Sequence, residues 1–97
     1  MMVLITYDVE TISEGGTKRL RHVAKACKDY GQRVQNSVFE CVIDPALFVK
    51  LKDRLLGIID NERDSLRFYY FGSTWSHKVE HYGVKASINF ENDSLIV

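Results

Sequence analysis

A helical stripe sits between two β-branched apolar runs, and this alternation limits the folding options of the chain more than any other feature. Val3 to Val9 is apolar on both faces, as a buried strand is. Glu10 to Gly16 is a loop punctuated by Gly15-Gly16, with Thr17 as the expected N-cap of a helix. From Lys18 onward the apolar residues recur at helical spacing, as Leu20, Val23, Ala24, Cys27 and Tyr30, and Gly31 ends the run. Lys18, Arg21, His22, Lys25 and Lys28 gather on the opposite side of the helical wheel, with Arg19 on its flank.

Residues 32–43 read either as two short strands with a tight turn near Gln35-Asn36-Ser37 or as one long strand, and periodicity alone does not choose. Asp44-Pro45 caps and opens a second helix, where proline's missing N–H does no harm. Its expected buried stripe is Leu47, Phe48, Leu51, Leu55, Ile58 and Ile59, with Lys50, Lys52, Asp53 and Arg54 solvated. Asn61-Glu62-Arg63-Asp64 reads as a polar turn, and Ser65 to Phe71 as a third strong strand. Beyond Gly72, Val84, Ala86, Ile88 and Phe90 alternate with polar residues, as in a half-exposed strand. Leu95-Ile96-Val97 is a bare apolar end that needs a sheet edge, its own or that of a second copy. This order predicts an α+β fold: a ferredoxin-like βαββαβ sandwich with one or more extra C-terminal strands. We expect a single domain over residues 1–97, with a core at 1–72 and a strand or tail at 73–97 pairing at a dimer interface.

The net charge of zero conceals a strong asymmetry. Residues 17–33 carry six cations (Lys18, Arg19, Arg21, Lys25, Lys28 and Arg33) against Asp29, a local charge of +5. Residues 1–16 carry Asp8, Glu10 and Glu14, a local charge of −3. A carboxylate at a strand tip beside a concentrated positive surface suits a protein that holds a polyanion near a metal. No apolar run approaches the ~20 residues that span a bilayer, so no membrane role is expected. Met1-Met2-Val3-Leu4-Ile5 lacks the basic region and cleavage site of an export signal. Cys27 and Cys41 form neither a CxxC pair nor a disulfide framework, which fits a reducing cytoplasm. His77 and His81 stand four apart, a zinc-like spacing on a helix, but no third ligand is in sight.

Three strings carry a resemblance. Tyr7-Asp8-Val9 closes the first strand and Lys18-Arg19-Leu20 opens the helix. The third, Tyr30-Gly31-Gln32-Arg33-Val34-Gln35-Asn36-Ser37-Val38-Phe39-Glu40, is the most specific. With Asp64-Ser65-Leu66-Arg67-Phe68-Tyr69, they resemble the CRISPR-associated Cas2 family over residues 3–71. The resemblance implies a small ferredoxin-like homodimer active in spacer acquisition, a partner of the Cas1 integrase and a binder of nucleic acid. It implies, for some members, a Mg²⁺- or Mn²⁺-dependent endonuclease cleaving RNA or duplex DNA. It further implies that Asp8 is the metal-binding and catalytic residue, brought near its symmetry mate across the dimer. Relatives often carry a second aspartate in the next loop; here that loop reads Glu10-Thr11-Ile12-Ser13-Glu14, so Glu10 or Glu14 would have to substitute.

Chemically, magnesium is commonly held by one or two carboxylates plus waters and substrate phosphate, so Asp8 doubled by symmetry meets the minimum. The bland reading of Asp8 is a strand-end residue that caps a loop or pairs with a lysine. Lys18, Arg19, Arg21, Lys25 and Arg33 are the expected nucleic-acid ligands, with Arg19 and Arg33 the best candidates for phosphates near Asp8 because guanidinium forks match phosphate geometry. Most charged helix faces are merely solvated, and that reading stands beside this one. Tyr7, Phe39 and Glu10 are candidate accessory residues, Tyr7 and Phe39 equally at home in a core. Two functions follow: a metal-dependent nuclease, or a non-catalytic adaptor whose dimer bridges Cas1 subunits and supports duplex DNA. A small-ligand sensor is the third option, without a glycine-rich phosphate loop to support it.

Overall fold

Strand β1, Met2–Asp8, buries alternate residues, and that periodicity organises the whole molecule. Val3, Ile5 and Tyr7 point into the core, while Met2, Leu4 and Thr6 stay half-exposed on the other face. The expectation of a strand buried on both faces is therefore corrected: helices cover only one side of the sheet. This computed structural model describes residues 1–72 and 77–84. The further elements are α1 (Gly16–Tyr30), β2 (Gln32–Gln35), β3 (Val38–Val42), α2 (Pro45–Ile58), β4 (Ser65–Phe71) and β5 (His77–Gly83).

The five strands form one sheet in the order β2-β3-β1-β4-β5, with every neighbouring pair antiparallel. This is the expected α+β ferredoxin-like arrangement with an added C-terminal strand. Residues 32–43 resolve into two strands around a turn at Asn36-Ser37, the first of the two alternatives. Val3, Ile5, Phe39, Cys41, Leu66 and Phe68 from the sheet meet Val23, Ala26, Cys27, Phe48, Leu51 and Leu55 from the helices. Each fully buried side chain of this kind contributes about 1.5–3 kcal/mol against exposure. The ring of Phe48 meets Phe68 edge-on at 5.3 Å, fixing α2 over β4.

The helix boundaries follow local chemistry, with corrections. α1 starts at Gly16 and its N-cap is Gly15, so Thr17 lies inside the first turn. Gly15 takes the left-handed conformation (φ 85°) that lets the loop after β1 turn sharply into the helix. At the other end Gly31 donates its N–H to Cys27 O at 2.8 Å. α2 is capped as expected: the Asp44 carboxylate accepts from Ala46 N at 3.0 Å, with Pro45 in the first turn. Within α2, Leu47 is 45% exposed instead of buried. Lys52 is not simply solvated either, because it reaches over the sheet to Glu80 on β5 at 2.7 Å.

β5 pairs along its full length with β4 of the same chain, from Ser65↔Gly83 to Phe71↔His77. The expected alternation from Ala86 onward and the apolar end Leu95–Val97 lie outside the described residues. His77 and His81 sit on a strand, where a four-residue separation spans roughly 13 Å along the axis, so the helical zinc spacing does not apply. Among the described residues no helix is long and apolar enough to cross a membrane.

Candidate nucleic-acid and metal site

Alternation along β1 turns Tyr7 inward and Asp8 outward, and this single step sets the geometry of the site. Asp8 is the last residue of β1, exposed, opposite Ser65 of β4. On its other flank β3 has already given way to the turn, where Tyr7 N donates to Ser37 O at 3.2 Å. Asp8 therefore leaves the sheet at a rim, on the face that the helices do not cover. Among the described residues it takes part in no ion pair. No group of three or more His, Cys, Asp or Glu side chains that could cage an ion occurs among the described residues.

Among the described residues nothing covers that face, and it is largely apolar, with Glu40 opposite Leu4 as its one central carboxylate. Met2, Leu4, Val38 and Tyr69 are half-buried on it, and Val42, Phe71 and Val79 are 78%, 41% and 41% exposed. Cross-strand pairing puts Met2, Val42 and Phe71 in one row at the end of the sheet away from Asp8. Polar character rises toward Asp8, through Thr6 and Arg67.

The other predicted residues fall into three places. Tyr7, Arg33 and Phe39 come together on the helix side: the Tyr7 and Phe39 rings stack 6.2 Å apart, and the Arg33 guanidinium lies 5.1 Å from the Phe39 centroid. Tyr7 donates its hydroxyl to Asn36 O at 3.3 Å. Burial, then the neighbouring Cys27 thiol, push the Tyr7 phenol above its usual range, with Arg33 opposing. Arg33 thus sits across the sheet from the Asp8 carboxylate, not beside it. Lys18, Arg21, Lys25 and Lys28 are exposed on the outer surface of α1, with His22. Lys25 is partly balanced by Asp29 at 2.6 Å, and Asp29 also binds Arg54 of α2 at 3.0 Å, which adds a cation to the same surface.

Arg19 goes elsewhere. Its Nε donates to Asp64 Oδ2 at 2.8 Å and its Nη2 to Asp64 Oδ1 and Glu10 O, both at 3.3 Å. The expectation of an Arg19 fork directed at substrate phosphate is corrected: Asp64, fully buried, takes it. Asp64, expected in a solvated turn, is instead the hub of this end of the molecule. Its two oxygens also accept from Glu10 N at 3.0 Å and Asp60 N at 2.8 Å, while Asp64 O receives Val84 N at 2.9 Å. Gly83, at φ 91°, packs its Cα so closely on Asp64 O that no side chain would fit. Burial alone would raise the Asp64 carboxyl; the Arg19 side chain and the Asp60 and Glu10 N–H groups outweigh it and hold it below the usual range. Because Glu10 follows Asp8 by two residues, Asp64 fixes the loop on which Asp8 depends. The Glu10 carboxylate meanwhile accepts from Ser13 N at 2.9 Å, folding back on its own loop instead of reaching toward Asp8.

Comparison with known proteins agrees with the strings that carry the resemblance. A family model described as CRISPR associated protein Cas2 matches residues 1–79. The chain is 62% identical over 96 residues to the CRISPR-associated endonuclease Cas2 of Halalkalibacterium halodurans, covering 99% of both chains. It is 57% identical over 96 residues to the CRISPR-associated endoribonuclease Cas2 of Nitratidesulfovibrio vulgaris, covering 99% of this chain and 94% of that protein. Among solved structures, Streptococcus pyogenes Cas2 superposes with a TM-score of 0.68 at 65% identity, covering 77% of this chain and 90% of that one. A hypothetical protein of Thermus thermophilus gives a TM-score of 0.57 at 26% identity, over 91% and 85% of the two chains.

Proposed function

The chain belongs to the CRISPR-associated Cas2 family, and on that premise we propose that it is a dimeric, divalent-metal-dependent endonuclease acting on phosphodiester bonds. The observation that carries this reading is Asp8: a carboxylate projecting from a strand tip, on the uncovered face of the sheet, paired with no cation among the described residues. One carboxylate cannot cage Ca²⁺ or Zn²⁺, but it suits Mg²⁺ or Mn²⁺, which keep their waters and share a phosphate ligand. Asp8 is the residue that would hold the ion, and Glu10 contributes through its backbone position. When bound, such an ion neutralises charge on the phosphate and acidifies water.

Dimerisation through the uncovered face supplies what one protomer lacks. An apolar sheet surface of this extent calls for a cover, and a second copy related by a two-fold axis offers the same surface to it. In that assembly two Asp8 carboxylates serve one site. The exposed cations of α1 then hold the sugar–phosphate backbone without reading bases. One relative is named an endoribonuclease and the other an endonuclease with no polynucleotide stated, so RNA and duplex DNA both stand as candidate substrates.

A second reading, an adaptor that supports duplex DNA and joins Cas1 subunits, is favoured by one observation. Lys18, Arg21, Lys25 and Lys28 are exposed on the outer surface of the helix layer, across the sheet from Asp8. Such a surface grips DNA whether or not Asp8 reacts. Purified Asp8→Ala protein distinguishes the readings. Loss of Mg²⁺-dependent cleavage with unchanged duplex binding supports the nuclease; undiminished cleavage removes Asp8 from the mechanism.

A further inference from the structure

Two helices share the outer surface of the helix layer, and one acid joins them. Lys18, Arg21, Lys25 and Lys28 of α1 and Lys50 and Arg54 of α2 are all exposed, against Asp29 and Asp53 as the only acids within the two helices. This surface lies across the sheet from the uncovered side, so a dimer formed through that side leaves it in solvent. Lys18, Arg21, Lys28, Lys50 and Asp53 enter no ion pair among the described residues.

Asp29 is different. Its Oδ1 accepts from Lys25 Nζ at 2.6 Å, one turn earlier on α1, and its Oδ2 from Arg54 Nη1 at 3.0 Å, across the seam between the helices. An ammonium and a guanidinium from separate helices thus converge on one pair of anionic oxygens, a donor set that suits phosphate equally well. Lys25 first, then Arg54, holds the Asp29 carboxyl below its ordinary range. The three side chains are nevertheless open to water, Lys25 at 67%, Arg54 at 41% and Asp29 at 34%. Ion pairs so exposed are weak, so an arriving phosphate can take the place of the carboxylate. Arg54 spends one of its five N–H donors on Asp29, which leaves others for a second phosphate oxygen.

We propose that Lys25 and Arg54 form a phosphate-binding site at the α1–α2 seam, in which Asp29 stands in for the nucleic-acid backbone phosphate that displaces it. This rests on the grip of the α1 cations on the sugar–phosphate backbone given above. The site makes Arg54 a nucleic-acid ligand contributed by α2, and it carries the bound polyanion from one helix to the other. Asp29 competes with each phosphate that approaches, and so keeps the affinity below what the six cations alone would give. Asp53 has the same charge on the same layer but bridges nothing, so it separates a general loss of negative charge from the opening of a specific site.

The test measures binding of a fluorescein-labelled DNA duplex to the full chain by anisotropy across a KCl series, without divalent metal so that the duplex stays intact. Lys25→Gln and Arg54→Gln should each weaken binding and flatten the log–log salt slope by about 0.9. Asp29→Asn should tighten binding about three- to fivefold, the order of an exposed ion pair, and Asp53→Asn clearly less. A gain of affinity cannot come from a damaged fold. In a Lys25→Gln/Arg54→Gln background the gain from Asp29→Asn should fall to that of Asp53→Asn. An unchanged slope in Arg54→Gln overturns the proposal, as does an Asp29→Asn gain no larger than that of Asp53→Asn. If glutamate at Lys18, Arg21 and Lys28 flattens the slope while Arg54→Gln does not, the seam site fails alone. If neither changes the slope, the grip of α1 on the backbone fails with it.

Discussion

Replacing Asp64 with asparagine tests the hub most directly, because it keeps the shape and removes only the charge and one acceptor. The Asp64 oxygens receive two N–H groups of Arg19 and the backbone N–H groups of Glu10 and Asp60. Each oxygen accepts two donors, so whichever way the amide of the variant is turned, its NH₂ faces two N–H groups. Breaking a buried pair from one side costs about 3–5 kcal/mol. A 97-residue domain holds roughly 5–15 kcal/mol in total, so the variant should lose a large share of its stability. At about 4–8 °C per kcal/mol, the melting temperature should drop by at least roughly 12 °C. The assay is urea unfolding of wild type and variant at one fixed protein concentration, repeated from pH 7 down to pH 3. The sign follows from the depressed Asp64 carboxyl: its stabilisation is complete above the unfolded-state value of about 3.9 and is lost as pH falls through the lower folded value. The gap between the two proteins should therefore be constant near neutrality and shrink below about pH 4. A gap under about 1 kcal/mol at pH 7, or one that persists unchanged to pH 3, would refute the assignment of Asp64 as a charged hub.

Reversing Lys18, Arg21 and Lys28 to glutamate should weaken duplex binding and flatten its salt dependence, by about 0.9 in log–log slope for each phosphate no longer neutralised; an unchanged slope would show that α1 does not touch phosphate. Lys52→Met should loosen β5, since Glu80 accepts from Lys52 at 2.7 Å and from Tyr70 Oη at 2.7 Å; faster amide hydrogen exchange confined to 77–83 would be the signature. Burial pushes the Cys27 thiol up to about 12, so alkylation at pH 8 should proceed only as fast as the protein opens and should accelerate with urea. Arg19→Lys should lower the melting temperature and leave salt-dependent duplex binding almost unchanged, because the guanidinium is engaged with Asp64 and a lysine lacks the fork.

The elements are legible in the sequence wherever local chemistry decides them. Asp44-Pro45 marks its helix start because the carboxylate and the missing N–H act within two residues. Residues 32–43 are not decided in this way: both one strand and two fit their periodicity, and only the pairing of β2 with β3 places the turn at Asn36-Ser37. What is not legible depends on partners far along the chain. Asp64 sits in a run of polar residues that composition reads as solvated, and its burial comes from Arg19, 45 residues away. One signal is present: Arg19 lies on the flank of the helical wheel, between the basic face and the apolar stripe, where a long side chain points along the core boundary instead of outward. A cation at that position calls for a buried acid, and Asp64, immediately before a strong strand, is where the fold supplies one. The same logic explains the two sides of the site. Strand alternation assigns Tyr7 and Arg33 to the helix side and Asp8 and Arg67 to the other, but only the register between β1 and β4 reveals that Arg67, not Arg19 or Arg33, shares the face of Asp8. Charge counted along the chain places the positive surface beside the carboxylate; the pleat separates them. Among the described residues, the cation that shares the face of Asp8 therefore comes from β4, while the cations of α1 lie in the other layer, across the sheet.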